Sequence, residues 1–249
     1  MRIGLIIPPA DGTTPRECLE LYPGIEFVTV GLGVKEMSRA GFEEVADQIL
    51  HRARTLQLLG VHAISVMGTS LTFYRGGAYN DELIKLVAGE THLPATSMST
   101  SVIRALKASR IANIALATAY TPELNDRLSE FLANHGVRTT SAVGLGLTDI
   151  NAVRPTSPRA VRDAAEEAFE KGPSADGLLL SCGGMPTLQL HSPLEEKFGI
   201  PVVSSLAAGL WDVVQLSGCD PRVPGFGRLF TVTGHAAGNT AVSRTQQGT

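Results

Sequence analysis

The chain has 249 residues, 43% of them hydrophobic, and a formal charge of -3, enough for one large or two small packed domains. No basic stripe or RNA-binding signature is present, which argues against a nucleic-acid partner, and no apolar run approaches the ~18 residues of a membrane span. Three scattered cysteines, Cys18, Cys182 and Cys219, suit neither a disulfide framework nor a zinc site, so a reduced, cytoplasmic setting is expected.

The opening run Ile3-Gly4-Leu5-Ile6-Ile7 is broken by Pro8-Pro9. It is too short for a signal peptide and reads as a first strand. A helical pattern covers 42–59. Ala63-Ile64-Ser65-Val66-Met67 then reads as a buried strand ending at Gly68-Thr69-Ser70. A helix follows, then a Pro-initiated strand ending in serines, Pro94 to Ser99, and a closing helix at 102–109. The plan then repeats. A strand at 114–120 ends at Tyr120, and a helical pattern covers 158–170. The apolar run Leu178-Leu179-Leu180-Ser181-Cys182 meets Gly183-Gly184. A helix, the strand Pro201-Val202-Val203-Ser204-Ser205 and a closing helix at 207–216 complete the second round. The segment 232–249 is rich in Gly, Thr, Ser and Gln without periodicity and is expected to be disordered.

Strands alternating with helices imply βαβ units and parallel sheets. Segments 2–99 and 113–205 share one plan. The expected fold is therefore α/β, with two similar Rossmann-like halves of parallel sheet related by a pseudo-two-fold axis and a site in the cleft between them. The halves are set at 1–108 and 109–205, with the helix near 206–230 completing the first.

Loops at the C-terminal ends of parallel strands are where such sheets bind ligands. Gly68-Thr69-Ser70 offers backbone N–H groups and hydroxyls to an anion, although a turn with a helix N-cap has the same pattern. Tyr120 can serve as an oxyanion donor or simply be a buried tyrosine. Cys182 is a candidate thiol acid, its thiolate favoured if a helix begins there. A buried structural cysteine is the alternative, but two glycines beside it suggest close backbone approach. Gly31-Leu32-Gly33 lacks the rest of a dinucleotide fingerprint. The six histidines show no metal spacing, and no cofactor motif is visible.

The segment from Ser65 to Gly76 resembles the corresponding segment of arylmalonate decarboxylases, in the aspartate/glutamate racemase superfamily. So do Leu116 to Tyr120, Leu179 to Gly184 and Pro201 to Ser205, in the same order and spacing. The resemblance spans about 3–230. It implies a dioxyanion hole of Thr69, Ser70 and Tyr120 around a retained carboxylate, with Cys182 as proton donor. It places Gly183 and Gly184 beside the carboxylate or thiol. It also places Pro8, Val34, Met37, Leu71, Ile150 and Val153 around an apolar pocket. Phe42 stands where the family has a tyrosine, which bears on substrate preference. Racemases and maleate isomerases of the superfamily use two thiols, one from each half, and here Gly68 holds the first position.

The implied reaction is cofactor-independent decarboxylation of 2-aryl-2-substituted malonates to enantioenriched 2-arylalkanoic acids, with no metal. A racemase or cis–trans isomerase of a small carboxylate is the alternative. A small dicarboxylate is the expected partner, and a monomer or homodimer the expected assembly.

Overall fold

The computed structural model describes residues 1–234. Its first sheet contains β1 (Arg2–Ile7), β2 (Glu26–Gly31), β3 (Ala63–Val66) and β4 (Ala95–Ser97). All pairings are parallel and the order is β2-β1-β3-β4. The second sheet contains β5 (Asn113–Thr118), β6 (Arg138–Gly144), β7 (Gly177–Ser181) and β8 (Val202–Ser204), parallel in the order β6-β5-β7-β8. The two orders are the same, and the α/β architecture of two like halves is the one the repeat implies.

Strands covered on both faces read as continuous apolar runs. That is why β3 and β7, buried at every position, are conspicuous in the sequence. The edge strand β6 is not. It is Arg-Thr-Thr-Ser-Ala-Val-Gly and only partly buried, so no apolar run marks it. In each sheet the order reverses about the first strand, with β2 and β3 on opposite sides of β1, and β6 and β7 on opposite sides of β5. Crevices at such reversals are the usual ligand sites of parallel sheets. Pro8 follows β1, Gly68 follows β3 by two residues, Tyr120 follows β5 by two, and Cys182 follows β7.

The single helix expected at 42–59 is two, α2 (Arg39–Ala46) and α3 (Gln48–Leu58), after the short α1 (Arg16–Leu21). They part at Asp47, a residue whose side chain competes with the backbone and disfavours helix interiors. After β3 come α4 (Thr69–Phe73) and α5 (Gly77–Thr91). The closing helix of the first half, α6 (Met98–Ala108), starts four residues before the expected 102, because Ser97 Oγ accepts from Thr100 N at 3.1 Å and caps it. The second half adds α7 (Pro122–Ala133), α8 (Pro158–Lys171), α9 (His191–Phe198) and α10 (Ser205–Leu216).

Helices α6 and α10 pack on each other; α6 also meets β4 and β8, and α10 meets strands of both sheets. The buried Asp212 on α10 anchors this pair. Its carboxylate accepts from Thr96 Oγ1 at 2.7 Å, Ser101 Oγ at 2.8 Å and Arg104 Nη1 at 3.0 Å. Beyond α10, Trp211 Nε1 donates to Val232 O at 3.0 Å and Gly234 N donates to Gln215 Oε1 at 2.8 Å. Val232 and Gly234, in the tail expected to be disordered, are thus bonded to α10, and 235–249 lies outside the described residues. Among the described residues no helix is long and apolar enough to cross a membrane.

Candidate active site

A cavity of about 690 Å³ opens between the C-terminal ends of the two sheets. Gly68, Thr69 and Ser70 line it from the first half, and Tyr120, Cys182, Gly183 and Gly184 from the second. Two loops reach across it. Met37 N donates to Thr148 O at 2.7 Å and Ile150 N to Lys35 O at 3.0 Å, an antiparallel bridge that carries Met37, Ile150 and Val153 to the wall.

The Gly68-Thr69-Ser70 loop leaves β3 and enters α4 at once. By helix geometry the first-turn N–H groups have no partner within α4. The loop is held from behind. Thr72 Oγ1 lies 2.9 Å from Gly68 O and 2.6 Å from Ser99 Oγ, which is itself 2.9 Å from Thr69 O. Gly68 has an extended backbone (φ -142°), so conformation does not require glycine. Space is tight: a Cβ there would lie 3.0 Å from Leu71 Cβ and from Pro8 Cγ, which would have to give by a few tenths of an ångström.

Thr69 is buried, and its Oγ1 has no hydrogen-bond partner among the described residues. Buried hydroxyls are seldom left so, because desolvation without a partner is costly. Thr69 and Ser70 nonetheless lie close enough to the Tyr120 hydroxyl to favour its ionised form; burial outweighs them and Ser181 and holds that hydroxyl well above the ordinary phenol range. Tyr120 is fully buried, its ring edge-on to Phe73 at 6.0 Å. Ser181 Oγ is 3.5 Å from the hydroxyl and 3.2 Å from Ser205 Oγ.

Cys182 does not sit at a helix N-terminus. It directly follows β7, a turn comes next, and α9 begins only at His191. The expected dipole effect is therefore absent. Burial instead pushes the thiol up to about 11, against smaller opposing effects of the Gly184 N–H and Tyr120. The backbone at Cys182 has φ 148°, a region that costs about 1–3 kcal/mol for a non-glycine residue and is tolerated where the surroundings impose it. The backbone beside it is closely approached: a Cβ on Gly183 would lie 2.8 Å from Met98 Cε, the end of a flexible side chain that would have to move. Cys18 and Cys219 do not line the cavity.

Pro8, Met37, Ile150 and Val153 line the cavity as well. Val34, Phe42 and Leu71 do not. All three are buried one layer behind: Val34 N is tied to Pro8 O at 2.9 Å, Phe42 stacks on Tyr74 at 5.3 Å, and Leu71 fills the space beneath Gly68. Met67, Met98 and Leu206 line the wall without having been singled out in the sequence. Met98 had a signal, since it directly follows the strand whose counterpart ends in Ser204. The mouth also holds charged groups the sequence did not flag: Asp11, Arg16, Glu17, Glu20 and Arg154. Among the described residues no cluster of three or more His, Cys, Asp or Glu side chains could hold a metal.

The family model for arylmalonate decarboxylase matches residues 3–230. The arylmalonate decarboxylase of Bordetella bronchiseptica is 42% identical over 229 residues, covering 92% of this chain and 95% of its own. A crystal structure of a glycine-to-cysteine, cysteine-to-serine double mutant of arylmalonate decarboxylase, in the liganded form, superposes with a TM-score of 0.90 at 41% identity, covering 92% of this chain and 98% of that one. A maleate isomerase from Pseudomonas putida S16, solved with maleate, has a TM-score of 0.85 at 18% identity, covering 92% of this chain and 97% of that one, a likeness of fold. With nearly the whole chain matched in sequence and in structure, this protein belongs to the arylmalonate decarboxylase family and is an enzyme, a carboxy-lyase.

Proposed function

We propose that the chain decarboxylates 2-aryl-2-substituted malonates to enantioenriched 2-arylalkanoic acids without a cofactor. The observation that carries this reading is the unpartnered buried Thr69 hydroxyl, set beside Ser70, the Tyr120 hydroxyl and the Cys182 thiol in one cavity. In this reading the retained carboxylate accepts hydrogen bonds from Thr69, Ser70, Tyr120 and the first-turn amides of α4. The leaving carboxylate faces apolar wall such as Pro8, Met37 and Val153. When the Cα–carboxylate bond breaks, CO₂ departs and its bonding electrons pass into the retained carboxylate as an enediolate. An aryl group spreads the same charge. The donors strengthen as that charge grows, which lowers the barrier rather than merely binding substrate.

Cys182 Sγ–H then protonates the α-carbon from one face, and the thiolate regains a proton from water. A thiol raised to about 11 is fully protonated at neutral pH, the state an acid needs. Its conjugate thiolate is also basic enough to be reprotonated at once. Two-thiol racemisation or isomerisation would need a second thiol near Gly68, and none of the other cysteines lines the cavity. The test is CO₂ release from phenylmalonate by purified protein without added metal or cofactor. Steady turnover is expected; no release above the uncatalysed rate would overturn the reading.

A further inference from the structure

Among the described residues the charged groups around the cavity all belong to its mouth, and only Arg16 and Arg154 are cations. Arg16 is tied to Glu20 on its own helix at 2.6 Å. Arg154 is different. Its partner, Asp11, lies across the cleft in the other half, with Arg154 Nη1 3.1 Å from Asp11 Oδ2. Both side chains are about half exposed, 55% and 50%, so the pair is weak and cheap to break. Asp11 does not depend on Arg154 for its place, because Thr13 N and Thr13 Oγ1 hold its carboxylate at 3.2 and 2.9 Å. Arg154 also belongs to the segment that delivers Ile150 and Val153 to the wall. A cation with an exchangeable carboxylate partner therefore stands where a ligand must pass, and among the described residues the inner wall supplies no cation to balance two carboxylates.

We propose that Arg154 is a carboxylate-binding residue of the cavity mouth, which exchanges Asp11 for a dicarboxylate ligand and so selects the dianion over the monoanionic product. The inference rests on the decarboxylase reading for the identity of that ligand. Total ligand charge is the same in the bound diacid and in the transition state for C–C cleavage. Charge moves toward the donors as the bond breaks, so a cation at the mouth stabilises the transition state no more than the bound diacid, and its loss should raise KM without lowering kcat. Once CO₂ has left, both charges sit on the enediolate held by Thr69, Ser70 and Tyr120; the proton from Cys182 reduces them to one, and Asp11 then takes Arg154 back.

The pair can be separated by opposite substitutions. Arg154→Gln should raise KM for phenylmalonate about tenfold at low ionic strength, leave kcat undiminished, and change product inhibition by the monoacid much less. Asp11→Asn frees Arg154 and should lower KM. Raising ionic strength from about 0.01 to 0.15 M shortens the screening length from about 30 to 8 Å, and should raise KM in wild type but hardly in Arg154→Gln. An unchanged KM in Arg154→Gln overturns the proposal. So does an Asp11→Asn variant that loses affinity as Arg154→Gln does, because the pair is then a latch between the halves. If wild type releases no CO₂, the decarboxylase reading fails on its own, and calorimetric binding of phenylmalonate to the three proteins judges the mouth by the same signs.

Discussion

The thiol of Cys182 carries the largest consequence per atom. It is buried at a strained turn and its acidity is suppressed, both of which suit a group that gives up a proton only to a strong base. An enediolate is such a base. Replacing the thiol in Cys182→Ala should reduce CO₂ release ~10²–10⁴-fold while the circular dichroism and melting temperature stay close to wild type. The thiol's titration has a sign that can be read. Because its pKa is raised, the acid form persists above pH 9 and is lost only near 11, so kcat should show no falling limb between pH 7 and about 10. A limb centred near an ordinary thiol value of ~8.5 would mean that the group is not buried as described. Tyr120→Phe removes one donor and keeps the ring packed on Phe73; a loss of ~10²–10³ in kcat is expected. Equal kcat and KM in the two proteins would make Tyr120 a packing residue.

Legibility at this scale followed local chemistry. Gly183-Gly184 after Cys182 pointed to close approach, and Met98 and Val153 are what comes close. Phe42, Val34 and Leu71 were expected at the wall and stand behind it, because depth in a three-layer packing leaves no mark in a sequence. Arg154 and Asp11 are 143 residues apart, and nothing local to either signals the other.

At the scale of elements, the site depends on how strand ends are fixed. The Gly68-Thr69-Ser70 loop is held by Thr72 on α4 and Ser99 on α6, and these two hydroxyls hold each other. Thr72→Val keeps the shape and removes the hydroxyl. A misplaced loop weakens donors that must meet the transition state, so kcat should fall about tenfold with KM little changed. Ser99→Ala should do the same, and the double variant should be scarcely worse than either, because the two act as a unit. Fully additive losses would mean independent roles. The buried strands β3 and β7 could be read as apolar runs. The edge strand β6 could not, since half-exposed polar residues satisfy an edge as well as a loop, whereas β2, Glu-Phe-Val-Thr-Val-Gly, does carry a β-branched strand pattern. The break at Asp47 was equally hidden: the apolar spacing carries on through it, and only the backbone changes course.

At the scale of the molecule, the duplicated plan has an asymmetric result. Both sheets reverse order at the same place and deliver equivalent loops, yet the loop after β3 brings hydroxyls and the loop after β7 a thiol. The α6–α10 pair spans the sheets and is fastened by the buried carboxylate of Asp212. Asp212→Ala leaves Thr96 and Ser101 short of a charged acceptor and should cost about 2–4 kcal/mol of unfolding free energy, read as a lower denaturant midpoint at unchanged slope. A loss within about 0.5 kcal/mol, the range of ordinary surface substitutions, would show that apolar contacts alone hold the pair.

The asymmetry between the two loops is most directly tested by the product. Prochiral 2-methyl-2-phenylmalonate is incubated with the protein in deuterated water, and the monoacid is resolved by chiral chromatography and weighed by mass spectrometry. One donor on one face gives one enantiomer in large excess, carrying a single α-deuterium that is not exchanged further on prolonged incubation. A racemic product, or an α-position that keeps exchanging in the isolated enantiomer, contradicts protonation by Cys182 alone.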